Sequence, residues 1–309
     1  MISAPAKVNL TLEILGTRPD GYHELRSLLM PISLYESVEA KPRADGVLTC
    51  ATEQEGIPPF DMESVPLEKH LAVKAARALQ RMDLTDRQID RLTDRQTDRL
   101  ALGADVRIVK RVPVGAGLGG GSADAAGALR ELNRVWGLSL SAEQLAEAGA
   151  TFASDVPGMV LGGAVVMEGR GERVRRLDGV APDTPPLWLV LAFCGEPIST
   201  GAVYKACPEI AAGPDGCQEY MAEAVRKGDP TMAAEALFNG LEAPVYAQYP
   251  RTAELPGVLR RAGALATLLS GSGGVVYGLA ENEEHAHSIA GRLPEGLWTS
   301  VTRTGAPFL

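Results

Sequence analysis

The first fifteen residues of the chain alternate between apolar and polar side chains with a period of two, which predicts a β-strand. The even positions from 8 to 14 are apolar, whereas Lys7, Asn9 and Thr11 share the other face. A lysine and an asparagine two residues apart can reach one phosphate or one hydroxyl group together. An edge strand with a solvated polar face explains the same alternation without a ligand, so the pattern alone leaves both interpretations open.

The rest of the chain mixes helical and strand patterns. Predicted helices lie at 68–82, 141–150, 219–226, 232–238, 255–262 and 283–293. Predicted strands lie at 28–38, 47–52, 105–112, 187–193, 266–270, 275–279 and 298–303, and a hairpin is predicted at 159–168 and 173–177. We expect the strand at 47–52 to pair with the strand at 28–38. Residues 151–158 are expected to end the helix at 141–150, because Pro157 cannot continue it.

A glycine-rich stretch stands between these elements, where five of the seven residues from Gly115 to Gly121 are glycine. A helical pattern follows at once, and Gly137 supplies its stop. Glycine permits left-handed backbone conformations and the close approach of a ligand, because it has no Cβ. Such a loop directs free N–H groups and the positive end of a helix dipole at one spot, which predicts a phosphate site. A flexible linker is the alternative, but linkers are not normally followed by a capped amphipathic helix.

The loop alone does not identify the kind of phosphate site. A Walker loop ends in Gly-Lys-Ser/Thr, and here Ser122 follows Gly121 without a lysine. Gly115, Gly117 and Gly120 match the dinucleotide spacing G-x-G-x-x-G, but no acidic residue follows at the expected distance. The loop therefore indicates a nucleotide phosphate and nothing more specific.

Length and charge limit the classes of function. A chain of 309 residues fits two domains, and the proline-rich segment 182–186 suggests one at 1–180 and a smaller one at 181–309. A hydrophobic content of 45% is ordinary for a soluble globular protein. The net charge of -9 argues against a broad nucleic-acid-binding surface, which needs clustered lysine and arginine. A local basic pocket for a phosphorylated small molecule is compatible with that charge.

The cysteines and the apolar runs predict a compartment. The four cysteines form no C-x-x-C pair and have no histidine at zinc spacing, so we interpret them as reduced thiols: Cys50, Cys194, Cys207 and Cys217. The N-terminus lacks a hydrophobic signal core, and no apolar run approaches the roughly 20 residues that span a membrane. We expect a cytoplasmic protein without a membrane partner, either a monomer or a homodimer.

An eight-residue unit, Leu-Thr-Asp-Arg-Gln-x-Asp-Arg, occurs twice between residues 84 and 99. A repeat of eight residues is a multiple of neither the 3.5 residues per turn of a coiled coil nor the 3.6 of a straight α-helix. Its leucines would therefore move around the helix surface from one repeat to the next and form no coiled-coil seam. On a helix, its aspartates would repel one another at i,i+4, while its arginine–aspartate pairs would attract at i,i+3. These contributions to helix stability nearly cancel. We interpret 84–99 as a solvated insertion without a function of its own.

Two polar residues and a second glycine cluster are ambiguous when each is taken alone. His23 follows a predicted turn, and an isolated histidine is more often structural than catalytic. Asp155 precedes Pro157 by two residues, which also suits an aspartate that bonds its own turn backbone. Residues 271–274 form either an ordinary hairpin turn or a second Gly/Ser backbone nest that faces the first loop.

Considered together, these segments resemble the GHMP kinase superfamily. The resemblance rests on five motifs in order, which are Pro5–Leu10, Asp20–Leu25, Pro113–Ala126, Ser154–Pro157 and Leu269–Gly274. They cover nearly the whole chain. The resemblance implies an α/β fold of the α+β type, with an N-terminal ATP-binding domain and a smaller C-terminal substrate domain. It also implies an ATP-dependent kinase, and the second and fourth motifs narrow it to the branch whose acceptor is a cytidine diphosphate-linked methylerythritol in isoprenoid biosynthesis.

The resemblance implies a role for each matching residue on the donor side. Lys7 and Asp155 match the catalytic pair, with Asp155 accepting the proton of the acceptor hydroxyl and Lys7 stabilising the developing negative charge. Ser122 is a candidate to face Mg²⁺, which should travel with the nucleotide and need few protein ligands. The ATP phosphates would be held by Pro113, Val114, Gly115, Ala116, Gly117, Leu118, Gly119, Gly120, Gly121, Ser122 and Ala123.

The resemblance also implies an acceptor site. Asn9 would reach the acceptor near Lys7, Tyr22 and Tyr204 would sandwich the cytosine, and His23 would bond its edge. Stacking a base on an aromatic ring contributes roughly 1–3 kcal/mol. His70 departs from the family pattern, which has asparagine there, and this either removes the adenine contact or shifts it to the imidazole. The alternatives to this function are a kinase for mevalonate or homoserine, and a nucleotide-binding regulator without catalysis.

Overall fold

The computed structural model describes residues 1–82, 102–181, 183–208 and 210–309. The predicted insertion at 84–99 lies outside the described residues, and so does Pro182 at the predicted domain boundary. The strands, numbered in chain order, are β1 Ile2–Thr17, β2 His23–Arg43, β3 Leu48–Gln54, β4 Gly103–Lys110, β5 Val165–Gly169, β6 Arg173–Arg176, β7 Trp188–Phe193, β8 Phe238–Asn239, β9 Ala266–Leu269, β10 Val275–Ala280 and β11 Trp298–Arg303.

The helices interleave with these strands. They are α1 Leu71–Arg81, α2 Gly120–Val135, α3 Ala142–Ala150, α4 Val156–Leu161, α5 Thr200–Ala206, α6 Cys217–Lys227, α7 Pro230–Ala236, α8 Glu242–Gln248, α9 Pro250–Arg261 and α10 Glu283–Ala290. Helix α3 begins as its sequence predicts, because Ser141 and Gln144 form a reciprocal capping box. Within the described residues, no helix is both long and apolar enough to cross a membrane.

The strands form two sheets. The larger has the order β3-β4-β2-β1-β8, with β5 also pairing with β2 and β6 with β5. The smaller has the order β11-β7-β10-β9 and is antiparallel. The expectation that 47–52 pairs with 28–38 is wrong, because β4 lies between the two and β3 pairs with β4 in parallel. Local alternation predicted that strand but carried no information about its partner.

Strand β1 is an interior strand rather than an edge. It pairs with β2 along most of its length and with β8 on its other side. The side chains of Lys7 and Asn9 are only 4% and 3% exposed. The solvated edge strand that the alternation allowed is therefore excluded, and the polar face of β1 must have protein or ligand partners.

The core lies in three layers around the two sheets. Alanines of α1 and α2, among them Ala126, pack against the larger sheet. Val8 and Leu10 of β1 pack with Leu189 and Tyr277 from the smaller sheet, so residues from both predicted domains share one core. The other face of the smaller sheet packs against α9 and α10. This shared packing holds β1 next to the β9–β10 turn.

Three short helices were missed for a common reason. Residues 156–161 form α4, although a strand was expected from 159, and Pro157 stands in its first turn, where proline is tolerated. The hairpin is present, but it begins at Val165. Helices α5 and α8 were missed too, because the sequence pattern predicted neither a helix nor a strand at those positions. Helices of six or seven residues leave too short a periodic pattern to detect.

Candidate active site

A cleft of about 1030 Å³ lies against the larger sheet, between the glycine loop and α5. Its lining comes from both halves of the chain, including Lys7, Tyr22 and Gly117 from the first half and Tyr204 and Ser272 from the second. This volume is at the upper end of the range for small-molecule pockets. The predicted motifs, which are distant in sequence, therefore meet in one cavity.

The glycine loop and the N-terminus of α2 form one wall of this cleft. Residues 113–122 line it, and α2 begins after Gly119, whose φ of 69° lies in the left-handed region that favours glycine. The first N–H groups of a helix lack intrahelical partners, so those of α2 are available to a ligand at this wall. Ala123 is fully buried in the core behind it and does not line the cleft. This arrangement of backbone N–H groups suits an anion, which is the ligand that the composition of the loop predicts.

The β9–β10 turn at 270–274 packs directly on the first glycine loop. The Ser270 hydroxyl donates to the carbonyl of Gly117 at 3.1 Å, and the Val275 N–H donates to the carbonyl of Ala116 at 3.0 Å. A Cβ on Gly117 would lie 1.9 Å from the carbonyl oxygen of Ser270. The turn is therefore a hairpin connection that also faces the first loop, and the contact requires glycine.

Lys7 and Asp155 meet at the centre of the cleft. The Lys7 ammonium lies 3.4 Å from a carboxylate oxygen of Asp155 and donates a 2.7 Å hydrogen bond to Asn9 Oδ1. The amide of Asn9 donates in turn to the Ser27 hydroxyl at 2.8 Å, which fixes its orientation. Asp155 stands at the start of α4, but its side chain makes no capping bond to that helix. The structure therefore pairs this carboxylate with Lys7 rather than with its own turn.

The amine and the glycine loop are also adjacent. The backbone N–H of Lys7 donates to the carbonyl of Leu118 at 2.9 Å. A Cβ on Gly119 would lie 2.9 Å from Cγ of Lys7, so the lysine stem packs against the loop. Asp155 is one-third exposed, whereas Lys7 is buried. A positive charge held under a phosphate loop, beside a carboxylate that a ligand can reach, suits transfer of a phosphoryl group.

Three predicted acceptor residues lie at the other end of the cleft. The rings of His23 and Tyr204 are 5.7 Å apart with a 30° angle between planes. His23 Nε2 lies 3.1 Å from the carbonyl oxygen of Tyr204, and its Nδ1 is buried without a partner in the described structure. The Tyr22 side chain is 57% exposed at the mouth of the cleft. Burial, and then the nearby Asp155 carboxylate, raise the pKa of the Tyr204 phenol.

A buried charge cluster that no motif predicted lies behind the glycine loop. The Lys110 ammonium lies 2.6 Å from Glu36 and 2.7 Å from Asp124, and Glu36 also accepts the Arg111 N–H at 2.6 Å. Burial, and then the Asp124 charge, raise the pKa of Glu36 to about 7. Burial also raises the pKa of Asp124, while Lys110 opposes that rise. Only tertiary structure joins these three side chains, which connect β2, β4 and α2.

Sequence reasoning also missed side chains that line the two ends of the cleft. At the glycine-loop end these include Phe60, Met62 and Val65, and the Val65 carbonyl lies 3.2 Å from His70 Nε2. At the other end lie Arg170 and Lys205. None of them belongs to a sequence motif. Single aromatic, methionine or basic residues occur on the surface of most proteins without a binding role, so nothing in the sequence singled these out.

Two family models and many curated relatives match this chain. The family model for the GHMP kinases N terminal domain matches residues 70–163, and the model for the GHMP kinases C terminal domain matches residues 221–297. The chain is 38% identical to the 4-diphosphocytidyl-2-C-methyl-D-erythritol kinase of Pelotomaculum thermopropionicum, over 94% of this chain and 92% of that protein. It is also 38% identical to the enzyme of the same name from Symbiobacterium thermophilum, over 95% and 94%.

Solved structures give the same result. The crystal structure of a 4-(cytidine 5'-diphospho)-2C-methyl-D-erythritol kinase superposes with a TM-score of 0.74, at 30% identity and with 99% of both chains covered. The structure of L. major mevalonate kinase in complex with R-mevalonate superposes with a TM-score of 0.68 over 98% of this chain and 95% of that chain. Its 16% identity establishes a shared fold and nothing about the acceptor.

Proposed function

This chain belongs to the 4-diphosphocytidyl-2-C-methyl-D-erythritol kinase family of GHMP kinases, and we propose the residues with which it transfers the γ-phosphoryl group of ATP to the 2-hydroxyl of that cytidine diphosphate-linked acceptor. The observation that supports these assignments most strongly is the 3.4 Å approach of Lys7 to Asp155 beside the glycine loop. The two residues are 148 positions apart in sequence, so a chance meeting at this point of the cleft is a poor explanation.

Asp155 positions the acceptor hydroxyl and accepts its proton, in this proposal. A carboxylate that is one-third exposed in the cleft can reach a ligand hydroxyl, as a base must. Lys7 stabilises the negative charge that develops on the oxygen and on the transferred group, and Asn9 holds the ammonium in place. A loose phosphoryl transition state asks little of the nucleophile, so positioning contributes more than proton removal.

The triphosphate binds at the N-terminus of α2 and the loop at 113–122. Backbone N–H groups there are donors that need no side chain and suit phosphate oxygens. The hydroxyl of Ser122 lies in the cleft lining and fits Mg²⁺ that arrives on the nucleotide, because Mg²⁺ prefers oxygen donors and keeps several waters. When bound, the ion would neutralise charge on the phosphates.

The hydrogen bonding of His23 supports its assignment to the cytosine edge. A backbone carbonyl can only accept, so Nε2 of a neutral His23 carries the proton that faces Tyr204. Nδ1 is then an unprotonated acceptor without a partner, and it matches the 4-amino group of cytosine, which is a donor. Tyr22 and Tyr204 supply ring faces on either side of this position.

The division of labour between the domains and the cellular compartment belong to the same proposal. Residues 1–180 supply the glycine loop, Lys7 and Asp155, and residues 181–309 supply Tyr204 and the second loop. All four cysteine side chains are free thiols, which supports a reducing, cytoplasmic compartment.

An acceptor panel tests the proposal. ADP release is measured with ATP and, in separate reactions, the cytidine diphosphate-linked methylerythritol, mevalonate and homoserine. We expect turnover with the first acceptor alone, since a small aliphatic acceptor leaves the ring faces and His23 Nδ1 without partners. Turnover with mevalonate or homoserine but not with the cytidine compound would overturn the acceptor assignment. ATP binding without turnover on any acceptor would instead favour a regulator.

A further inference from the structure

The cleft is rich in cations although the chain as a whole carries a net charge of -9. Among the residues that the structure describes, five lysines and arginines line it, namely Lys7, Lys69, Lys110, Arg170 and Lys205, against the two carboxylates of Asp124 and Asp155. A cleft that concentrates one sign of charge between low-dielectric walls attracts the opposite charge. The positions of these cations therefore indicate where a ligand's anionic groups lie.

Two of the five cations are already neutralised by the protein. Lys7 pairs with Asp155, and Lys110 lies between Glu36 and Asp124. Lys69 directly precedes His70 and lies at the glycine-loop end of the cleft, with Val65. Arg170 and Lys205 remain at the end that also contains Tyr22 and Tyr204.

Arg170 lines the cleft beside Tyr22. Its guanidinium carbon lies 5.2 Å from the centre of the Tyr22 ring. The next residue, Gly171, packs on Ser154, the residue before Asp155, because a Cβ on Gly171 would lie 3.0 Å from Cβ of Ser154. In its own hairpin, the Arg170 guanidinium lies 4.0 Å from the Glu172 carboxylate. This ion pair is weak, because the distance is long and the Arg170 side chain is 40% exposed.

Lys205 approaches the same space from the other half of the chain. It follows Tyr204 on α5, and both residues line the cleft. An exposed ammonium on a flexible stem adapts to a phosphate as a point charge, whereas the planar guanidinium of Arg170 can donate two parallel hydrogen bonds. The two cations thus reach the cleft from different halves of the chain, each near one of the two tyrosines.

We propose that Arg170 and Lys205 bind the diphosphate of the acceptor and thereby set its specificity for a nucleoside diphosphate over the bare nucleoside. This inference rests on the proposed function, in which the cytosine binds at His23 and the hydroxyl at Asp155. The acceptor's diphosphate connects those two groups, so it must cross the space that Arg170 borders. Without cations there, two phosphate charges would be desolvated without compensation.

Binding of two probes tests this proposal. Cytidine and cytidine 5'-diphosphate are titrated by calorimetry into the full chain, with a non-hydrolysable ATP analogue saturating the nucleotide site so that neither probe binds there. Wild type should bind the diphosphate at least tenfold more tightly than cytidine. Arg170→Met should weaken diphosphate binding about 10- to 100-fold and leave cytidine binding unchanged, since only the charge-assisted bonds are lost.

Matched variants sharpen the result. Arg170→Lys should recover part of the loss, because the charge returns without the planar geometry. Lys205→Met should weaken diphosphate binding by a smaller factor, about 3- to 10-fold. Arg173→Met is the control, because Arg173 lies on the same hairpin, is exposed and pairs with Glu24 outside the cleft lining. It should match wild type with both probes.

Kinetics supply a second readout. Arg170→Met should raise KM for the acceptor, with kcat at saturation and KM for ATP nearly unchanged. Equal weakening of cytidine and diphosphate binding, or no weakening of either, would overturn the inference while leaving the proposed function standing. If the wild type bound neither probe, the cytidine-linked acceptor itself would fail, and this inference with it.

Discussion

In the proposed function, the two ends of the cleft recognise their ligands by different means. At the nucleotide end the contacts come from backbone, through the glycine loop at 113–121 and the N-terminus of α2, and the Lys110 side chain is neutralised by buried carboxylates. At the acceptor end side chains supply the chemistry, and His23 keeps an unpartnered acceptor atom. In this proposal, a backbone site suits any polyphosphate, whereas the side chains select one acceptor.

This contrast explains how one fold serves several acceptors. The likeness to mevalonate kinase and to homoserine kinase from Cytophaga hutchinsonii, each at 16% identity, is a likeness of fold. Backbone geometry can persist when side chains change, so the nucleotide end is expected to tolerate substitutions that keep its glycines. The acceptor end is expected to lose selectivity with single side-chain changes. Four experiments test this difference, in order of decreasing effect.

Asp155→Asn should cause the largest loss. The amide keeps the shape of the carboxylate but cannot accept the proton, so kcat should fall about 10²- to 10⁴-fold with ATP affinity unchanged. Steady-state ADP release and direct nucleotide binding measure the two quantities. Asp178→Asn, at an exposed carboxylate outside the cleft lining, is the control. Turnover near the wild-type rate would remove Asp155 as the base.

Gly117→Ala tests the backbone end. Its φ of 79° and the 1.9 Å approach of a new Cβ to Ser270 should force the two loops apart. Backbone strain and overpacking both destabilise the folded state, so we expect the free energy of unfolding to fall by about 3 kcal/mol. We also expect KM for ATP to rise at least tenfold, because the loop is displaced. Denaturant titration and kinetics measure these. Gly296→Ala shares a positive φ of 89° but meets nothing within 4 Å, so it should cost less and leave KM unchanged.

His23→Phe tests the side-chain end. The ring remains, but the Nδ1 acceptor is lost, and an unpaired donor on a bound cytosine costs about 1–3 kcal/mol. KM for the acceptor should therefore rise about 10- to 100-fold while KM for ATP stays the same. His287→Phe, on the exposed side of α10, serves as the matched variant. A parallel rise in both KM values would show that His23 supports the fold of the cleft instead.

Glu36→Gln tests the buried support of the nucleotide end and has the smallest effect. The folded chain holds the pKa of Glu36 at about 7, above its ordinary 4.5, because of burial and the Asp124 charge. At a pH between these two pKa values, Glu36 has lost its proton in the unfolded chain but retains it in the folded chain. The free energy of unfolding of the wild type therefore falls as the pH rises through this range. Glutamine cannot titrate, and the variant should gain about 1–3 kcal/mol relative to wild type between pH 5 and 8.

Denaturant titrations at pH 5, 6, 7 and 8 measure that gain. Glu39→Gln, a more exposed carboxylate on the same strand, is the control and should follow the wild-type profile. Parallel pH profiles for wild type and Glu36→Gln would contradict the raised pKa and show that Lys110 keeps this carboxylate charged.

Local pattern was a good guide to elements and motifs and a poor guide to partners. The strand at 298–303 and the glycine loop before α2 were predicted from period and composition, because both signals are contained in a short window. The helix α4 was not predicted, because its six residues are too few to show a helical period. The edge-strand alternative for Lys7 and Asn9 could be excluded only when β8, from residues 238–239, was found on the far side of β1.

The sequence by itself determined the kind of enzyme, since the resemblance of five motifs indicated a GHMP kinase and the family models and relatives confirm it. Tertiary structure decided which side chains come together. Lys7 meets Asp155, Lys110 meets Glu36, and Arg170 approaches Tyr22 only because distant strands and hairpins pack together. Period and composition are properties of neighbouring residues, whereas a charge pair in a cleft depends on contacts across the whole chain.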